Sequence, residues 1–581
     1  MDIKINGSSK IESSIKKSEG KNGTEIYKIN LSWDRAKTEP ADYAEIFIEH
    51  SIRNITNAWI PNATPLGLPR VLKPEWKDFG IFSSIAVSAP VLSFYDNSDM
   101  NKLTVALSET KKHIDINYGP HEKNSTLMVR FRIPLVQYTD TDRTEIFLYI
   151  DETSKNIYDA VGDVVKWWES DIGIEAMPVP SNAYEPLYSF WYSYHQDVYE
   201  NDVEKECQSA AEFGFKNVII DDGWQTDDNN GGYAYCGDWE VCKNKISDFA
   251  DHVERVHKMG LKYILWYSVP FVGSKSKNWE RFKNKILYFE KGISAGALDP
   301  RYAEVREFLI SIYKNAIIEW NIDGFKLDFI DKFVNPDNVP SNDEMDIPDL
   351  QDAVDALMIG VRDELTAIKP NILIEFRQTY IGPNIRKYGN MLRAGDCPYD
   401  YMSNRVSVLD LRMSSGGTAV HSDMLMWSND DTKESAAMQI INTIFSVVQI
   451  SVKTNRLPDD HKEMLKFWVR FMDENKELLL KSKLKVSEPH MYYTSATAYD
   501  ENREITAVYS NGKCVDVTKA DSIVINGSGI DNILCRFKNT GDYKIEILDC
   551  AGRVLAEKSE KLGGIVELNI PISGMARISA I

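Results

Sequence analysis

Lys326 and Asp328 stand two residues apart at the end of an otherwise apolar run, DGFKLDFI, at 323–330. Side chains two apart in a strand project to the same side, so this lysine and this carboxylate share one face. An unpaired carboxylate on a buried face is costly to desolvate, and a paired one gains little stability. The spacing therefore suits chemistry: an attacking or proton-transferring carboxylate kept ionised by a neighbouring ammonium. The alternative is a structural ion pair at a strand end. What favours chemistry is that the same design recurs along the chain.

Seven further short apolar runs end in polar or aromatic residues. Trp191, Tyr192 and His195 follow 186–190, Asp221, Asp222 and Trp224 follow 217–220, Trp266 lies in 262–269, and Asp299 follows 294–298. Arg377 and Gln378 end 371–378, Arg393 and Asp396 end 390–396, and His421 and Asp423 follow 418–420. Carboxylates interleaved with tryptophans suit a sugar, because oxygens accept from its hydroxyls and flat rings cover its C–H face. No glycine-rich phosphate loop competes with this reading. Nine histidines form no HExxH-like cluster, and seven scattered cysteines, an odd number, have no CxxC spacing. No metal and no cofactor are expected.

Strand ends can converge only if the strands lie side by side. The eight runs (186–193, 217–224, 262–269, 294–300, 323–330, 371–378, 390–396 and 418–425) alternate with amphipathic helical stretches such as 203–214, 246–260 and 303–321. This pattern predicts a central (β/α)8 TIM barrel with its site at the C-terminal strand ends. The apolar stretches 435–451 and 463–480 read as helices that close it. Before the barrel, alternating and β-branched runs predict an N-terminal β-sandwich over 1–175, and after it a C-terminal antiparallel β-sandwich over 484–581, leaving 176–483 to the barrel domain. Trp59, between turn formers in NAWIPNATP, is a packing plug or a sugar contact.

A chain of 581 residues exceeds one ordinary core, and 43% apolar with 11% aromatic residues can build several. The excess of 87 acidic over 67 basic residues, net charge -20, disfavours nucleic acid and anionic membrane as partners and suits a neutral oligosaccharide or glycoside. The N-terminal MDIKINGSSK lacks the apolar core of a signal peptide, and no run reaches the ~18 apolar residues of a membrane span, so a cytoplasmic location is expected. The oligomeric state is left open, with a homo-oligomer compatible.

With these motifs placed, the chain resembles the α-galactosidases (melibiases) of glycoside hydrolase family 36, in their short form, over Phe213 to Asp396. The matching residues are Gly214-Phe215, Asp221-Asp222-Gly223-Trp224-Gln225, Gly237-Asp238-Trp239, Leu298-Asp299-Pro300, Lys326-Leu327-Asp328 and Arg393-Ala394-Gly395-Asp396. The last segment has one residue fewer between Gly and Asp than the family pattern. The resemblance implies a retaining glycosidase for terminal α-galactose, with Asp328 as nucleophile and Asp396 as acid/base. It makes Asp221 and Asp222 sugar contacts, with Lys326 and Arg393 beside the carboxylates. Where the family often has a Cys/Gly-rich turn near the sugar 2-position, this chain has Arg377 and Gln378. Their bulk favours galactose over N-acetylgalactosamine. Tyr192 joins the substrate contacts, and Trp191 and Trp266 are stacking platforms or barrel packing.

Three other carboxylates compete for roles. Asp400 is a rival for the acid, Asp423 a weaker one better suited to capping or hydrogen bonding, and Asp331 turns away if its strand continues. Arg393 would lower the proton affinity of Asp396, whereas an acid at neutral pH benefits from a raised one. Alternative functions are an α-N-acetylgalactosaminidase, a galactosyl transglycosylase using the same intermediate, and a non-catalytic sugar-binding protein, which would need no pair of opposed carboxyls.

Overall fold

The computed structural model describes residues 1–7, 11–61, 70–77, 80–139, 141–377 and 379–581. Two antiparallel sheets form the N-terminal sandwich, one of five strands and one of six. Period-two alternation gives the six-stranded sheet two apolar faces. Leu92, Phe94, Leu103, Val105, Leu107, Ile146, Leu148 and Ile150 point into the sandwich core. Their neighbours Val91, Tyr95, Ala106 and Tyr149 point the other way, into the core shared with the barrel. That second face is covered by the helix Ile157–Ser170, whose buried residues recur at helical spacing as Ile157, Ala160, Val161, Val164, Val165 and Trp168. Asn156 caps it by accepting from the Tyr158 amide, and the Trp168 indole donates to the Leu107 carbonyl at 2.8 Å.

The central sheet has eight strands, β1 Leu187–Ser189, β2 Asn217–Ile220, β3 Lys262–Ser268, β4 Gly324–Asp328, β5 Leu373–Arg377, β6 Met391–Arg393, β7 Ala419–His421 and β8 Gln449–Ile450. Neighbours pair in parallel from β1 to β7, β8 pairs with β1, and the bridges His421–Val447 and Leu425–Ile450 join β7 to β8, closing the barrel.

Two of the expected barrel assignments are corrected. The run 294–300 does not supply a barrel strand: Ala295–Leu298 lies in a separate antiparallel sheet between Phe271–Gly273 and Ile286–Glu290. It pairs with the strand just before it through a short turn, a contact with a small loop-closure cost, and β3 pairs directly with β4. The eighth strand comes from the stretch expected to be all helix. The helix Lys433–Asn442 ends, and the run Val447–Val448–Gln449–Ile450, β-branched at three of its four residues, crosses into the sheet.

The C-terminal strands form one mostly antiparallel, folded-over sheet, with parallel pairings only at Arg503–Val508 with Asp521–Asn526 and at Cys514–Val517 with Asn532–Leu548. It has its own core around Val524, Ile545 and Ile578, while Ala496, Ala498, Ile505 and Ile525 pack toward the barrel. A buried polar node ties all three parts together. Asp410, on the barrel helix Tyr401–Ser414, accepts from Trp59 Nε1 at 3.1 Å, from Arg70 and from Tyr493. Trp59 is 0% exposed, so its indole belongs to this junction rather than to a sugar-facing surface. Among the described residues no helix is long and apolar enough to cross a membrane.

Candidate active site

Parallel pairing lines up the strand ends. Trp266 is level with Lys326, Lys326 with Glu375, Ser268 with Asp328, and Arg377 with both Arg393 and, through it, His421. Side-chain alternation then turns Lys326 and Asp328 to one side, and both are buried. The strand stops there. Phe329 has φ +67°, a left-handed conformation that costs a non-glycine residue about 1–2 kcal/mol, and the turn Ile330–Lys332 follows. The turn directs the Phe329 amide back to Asp328 Oδ1 at 2.9 Å.

Asp328 is enclosed by donors. Arg377 Nε reaches both oxygens, at 2.8 and 2.9 Å, the Tyr380 hydroxyl donates to Oδ1 at 2.6 Å, and Trp266 Nε1 donates to Oδ2 at 2.9 Å. Burial alone would raise this carboxyl, but the charges of Arg377 and Lys326, with these hydrogen bonds, hold it below the usual aspartate range. Oδ1 carries the amide and the tyrosine in addition to its share of Arg377, so Oδ2 has the freer lone pair. Tyr233, Trp266, Phe271 and Phe329 pack together around it, and the Arg377 guanidinium lies 5.5 Å from the Phe329 ring centre.

Arg377 also reaches the second carboxylate. Its Nη1 donates to Asp396 Oδ2 at 2.6 Å, while Arg393 Nη2 donates to Asp396 Oδ1 at 2.8 Å. One guanidinium thus bridges Asp328 and Asp396. Burial works to raise Asp396, but Arg393, Arg377 and Lys326 outweigh it and hold the group well below the usual carboxylate range. Its side chain remains 38% exposed, the most accessible of the network's carboxylates. The other fork nitrogen of Arg393 pairs with Asp423, which also accepts from the Tyr192 hydroxyl at 2.9 Å and the Cys397 amide at 2.7 Å.

At the β2 end, Asp221 Oδ2 accepts from Lys326 Nζ at 2.6 Å. Asp222 accepts from Gln196 Nε2 and Gln225 Nε2, each at 2.7 Å. Burial pushes Asp222 up to about 6 against the opposing effect of those two donors. A buried carboxylate of this kind discriminates among hydroxyl-bearing ligands, since one that fails to donate leaves it poorly satisfied.

The structure thus brings together Asp328, Asp396, Lys326, Asp221, Asp222, Trp266, Arg377, Arg393 and Tyr192. Trp266 is 1% exposed and serves as a donor and wall. Trp191 is half-buried at the first turn after β1, its ring 4.8 Å from that of His195. Trp59 stays at the domain junction, and Gln378 lies outside the described residues. Asp299, expected at a fourth strand end, is locked to Arg301 by contacts of 2.7 to 3.1 Å and braces its own loop. Asp400 caps the helix Tyr401–Ser414, accepting from the Ser403 amide at 3.0 Å, which accounts for it without an acid role. Asp331 sits in the turn after β4 with Oδ1 unpartnered, and burial raises it. Tyr380, Gln196 and Glu375 were not anticipated as site residues. Tyr380 lies beyond the strand where period-two reasoning ends, whereas Gln225, also unassigned, stood inside the DDGWQ motif.

The family model described as Melibiase matches residues 174–388, from before β1 through β5. Over that stretch the chain is similar to the melibiases. Among curated relatives, the α-galactosidase AgaA of Geobacillus stearothermophilus is 25% identical over 207 residues, 32% of this chain and 26% of that protein. Mel36A of Lactobacillus acidophilus is 27% identical over 105 residues, 18% of this chain and 14% of that protein. The aligned stretches thus span about a quarter or less of these curated relatives. The likeness of fold extends much further. The crystal structure of AgaA superposes with a TM-score of 0.65 at 14% identity, covering 98% of this chain and 81% of that one. The Lactobacillus brevis α-galactosidase superposes with a TM-score of 0.65 at 13% identity, covering 100% and 86%. The fold is therefore shared with these two structures over essentially the whole chain.

Proposed function

We propose that this protein is a retaining glycosidase that removes terminal α-linked galactose from oligosaccharides or glycosides. The observation that carries the reading is the pair Asp328 and Asp396, held from opposite sides of the Arg377 guanidinium at the strand ends of a melibiase barrel. A retaining mechanism needs two such carboxyl groups, about 5–5.5 Å apart, one to attack and one to manage the proton. Similar structures bear on the sugar: variants of AgaA have been crystallised with 1-deoxygalactonojirimycin, raffinose and stachyose.

In this reading Asp328 Oδ2 attacks the anomeric carbon. The glycosidic C–O bond breaks, and Asp396 gives its proton to the departing oxygen. The resulting ester between sugar and Asp328 is then cleaved by water, whose proton Asp396 takes back. Arg377, Tyr380 and Trp266 fix the orientation of Asp328, so little ordering remains to be done when substrate arrives. Asp222, with Asp221 steadied by Lys326, accepts from sugar hydroxyls. Arg377, which touches both catalytic carboxylates, lies beside the anomeric carbon and fills volume that a 2-acetamido group would require. Seven free cysteines suit a cytoplasmic setting for this activity.

The test is a comparison of p-nitrophenyl α-galactoside with p-nitrophenyl α-N-acetylgalactosaminide. The galactoside should be turned over with a kcat/KM about tenfold or more above that of the acetamido sugar. Preference for the N-acetylgalactosaminide would reassign Arg377 as an acetamido contact, and turnover of neither would remove the proposed activity.

A further inference from the structure

The site contains more buried negative than positive charge. The three cations Lys326, Arg377 and Arg393 face five carboxylates, Asp221, Asp328, Glu375, Asp396 and Asp423. All but Asp396 are buried, and Asp423 is 0% exposed. Such an arrangement is expensive unless each charge has a task or carries a proton. Asp328 and Asp396 have tasks in the proposed reaction, and Asp221 is matched by Lys326. Asp423 has none so far.

Its surroundings suggest one. Arg393 divides its fork, with Nη2 on Asp396 at 2.8 Å and Nη1 on Asp423. The groups facing Asp423 come from every neighbouring element: Arg393 on β6, Asp396 and Cys397 in the loop after it, Tyr192 after β1, and Asn404 on the helix Tyr401–Ser414. Glu375 on β5 acts indirectly, 3.7 Å from Arg393 Nε. Burial, with the neighbouring Asp396 charge, raises Asp423, and the Arg393 guanidinium, the Cys397 amide and the Tyr192 hydroxyl, the last two both donating to Oδ2, oppose that rise.

Resting on the reading of Asp396 as the acid, we propose that Asp423 is a positioning residue: it takes up half of the Arg393 fork, so that Arg393 orients Asp396 without holding it permanently as an anion. This answers the conflict between an acid role and a neighbouring guanidinium. A sugar seated over Asp396 removes water from it, which disfavours its charge, and Asp423 sets how much of Arg393's charge opposes proton uptake at that moment. Without the Asp423 charge, more of Arg393's charge falls on Asp396, with only the more distant Glu375 to share it. The acid form then survives only to lower pH.

The experiment measures kcat against pH for the wild-type chain and Asp423→Asn, with methyl α-galactoside as a substrate that needs leaving-group protonation and an activated aryl α-galactoside as one that does not. The alkaline limb of the methyl α-galactoside profile reports loss of the acid proton. In Asp423→Asn it should move down by about one pH unit, with an approximately tenfold loss near neutral pH, while glycosyl transfer from the aryl substrate changes little. Asp423→Glu should restore the limb. An unmoved limb, or an equal fall on both substrates, overturns the proposal and leaves the α-galactosidase reading standing. A wild-type chain inactive on both substrates defeats that reading itself, and the proposal with it. If Asp423→Asn does not fold, Tyr192→Phe removes a donor that supports the Asp423 charge. It should shift the limb in the same direction by a smaller amount, and no shift or an upward shift overturns the proposal.

Discussion

Asp328→Asn should abolish turnover, with a loss of about four orders of magnitude or more in kcat even for an activated aryl galactoside. The amide has nearly the same shape but no charge with which to attack. It also meets a set of donors built for two acceptor oxygens. Arg377 Nε, Trp266 Nε1, the Tyr380 hydroxyl and the Phe329 amide all point at this carboxylate, and an asparagine NH2 can satisfy none of them. The variant should therefore also lose about 1–3 kcal/mol of stability, visible as a lower Tm. Rates for purified, folded protein separate the two effects. Substantial residual turnover of the aryl substrate would remove Asp328 from the role of nucleophile.

Asp396→Ala should fail differently. A poor leaving group requires the proton, so turnover of methyl α-galactoside should fall by about 10²–10⁴, whereas an activated phenolate departs without help and the first step survives. The second step then lacks its base and the glycosyl-enzyme accumulates. Azide needs no deprotonation, so adding it should restore turnover and yield a galactosyl azide. The same experiment on Asp400→Ala should show no rescue, because the Asp400 carboxylate serves the first turn of the helix Tyr401–Ser414. Rescue of Asp400→Ala in place of Asp396→Ala would exchange their roles.

What could be read from residue order depended on which physical signal each residue left there. The pair Lys326 and Asp328 was legible because strand parity is local: two residues apart means one side, whatever the rest of the chain does. The barrel was legible from the alternation of short apolar runs with amphipathic helices, and the two sandwiches from their β-branched runs. Membership in a given sheet was not. Ala295–Leu298 is as apolar as any barrel strand, yet it pairs with its hairpin neighbour, and nothing in these four residues records that choice. Gln449–Ile450 is a two-residue strand inside a longer apolar stretch, where helical and strand readings are equally served. Trp59 had the right residue type for sugar stacking, but its partner Asp410 is 351 positions away. The Tyr380 contact with Asp328 likewise arises from the turn after β5, beyond the reach of any periodicity. Electrostatic roles were the least legible. Arg393 was placed beside Asp396 from spacing, but the division of its fork with Asp423 depends on β6 and β7 lying side by side.

The central claim is that Asp328 becomes covalently bonded to the sugar during turnover. Incubating the enzyme with a fluorinated galactosyl fluoride that forms the ester but hydrolyses slowly, followed by proteolysis and mass spectrometry, tests it most directly. A single added fluorogalactosyl unit is expected on the peptide containing Asp328, lost on treatment with base and absent in Asp328→Asn. A label on another carboxylate, or inhibition with no covalent mass added while the untreated enzyme inverts its product, would contradict the account.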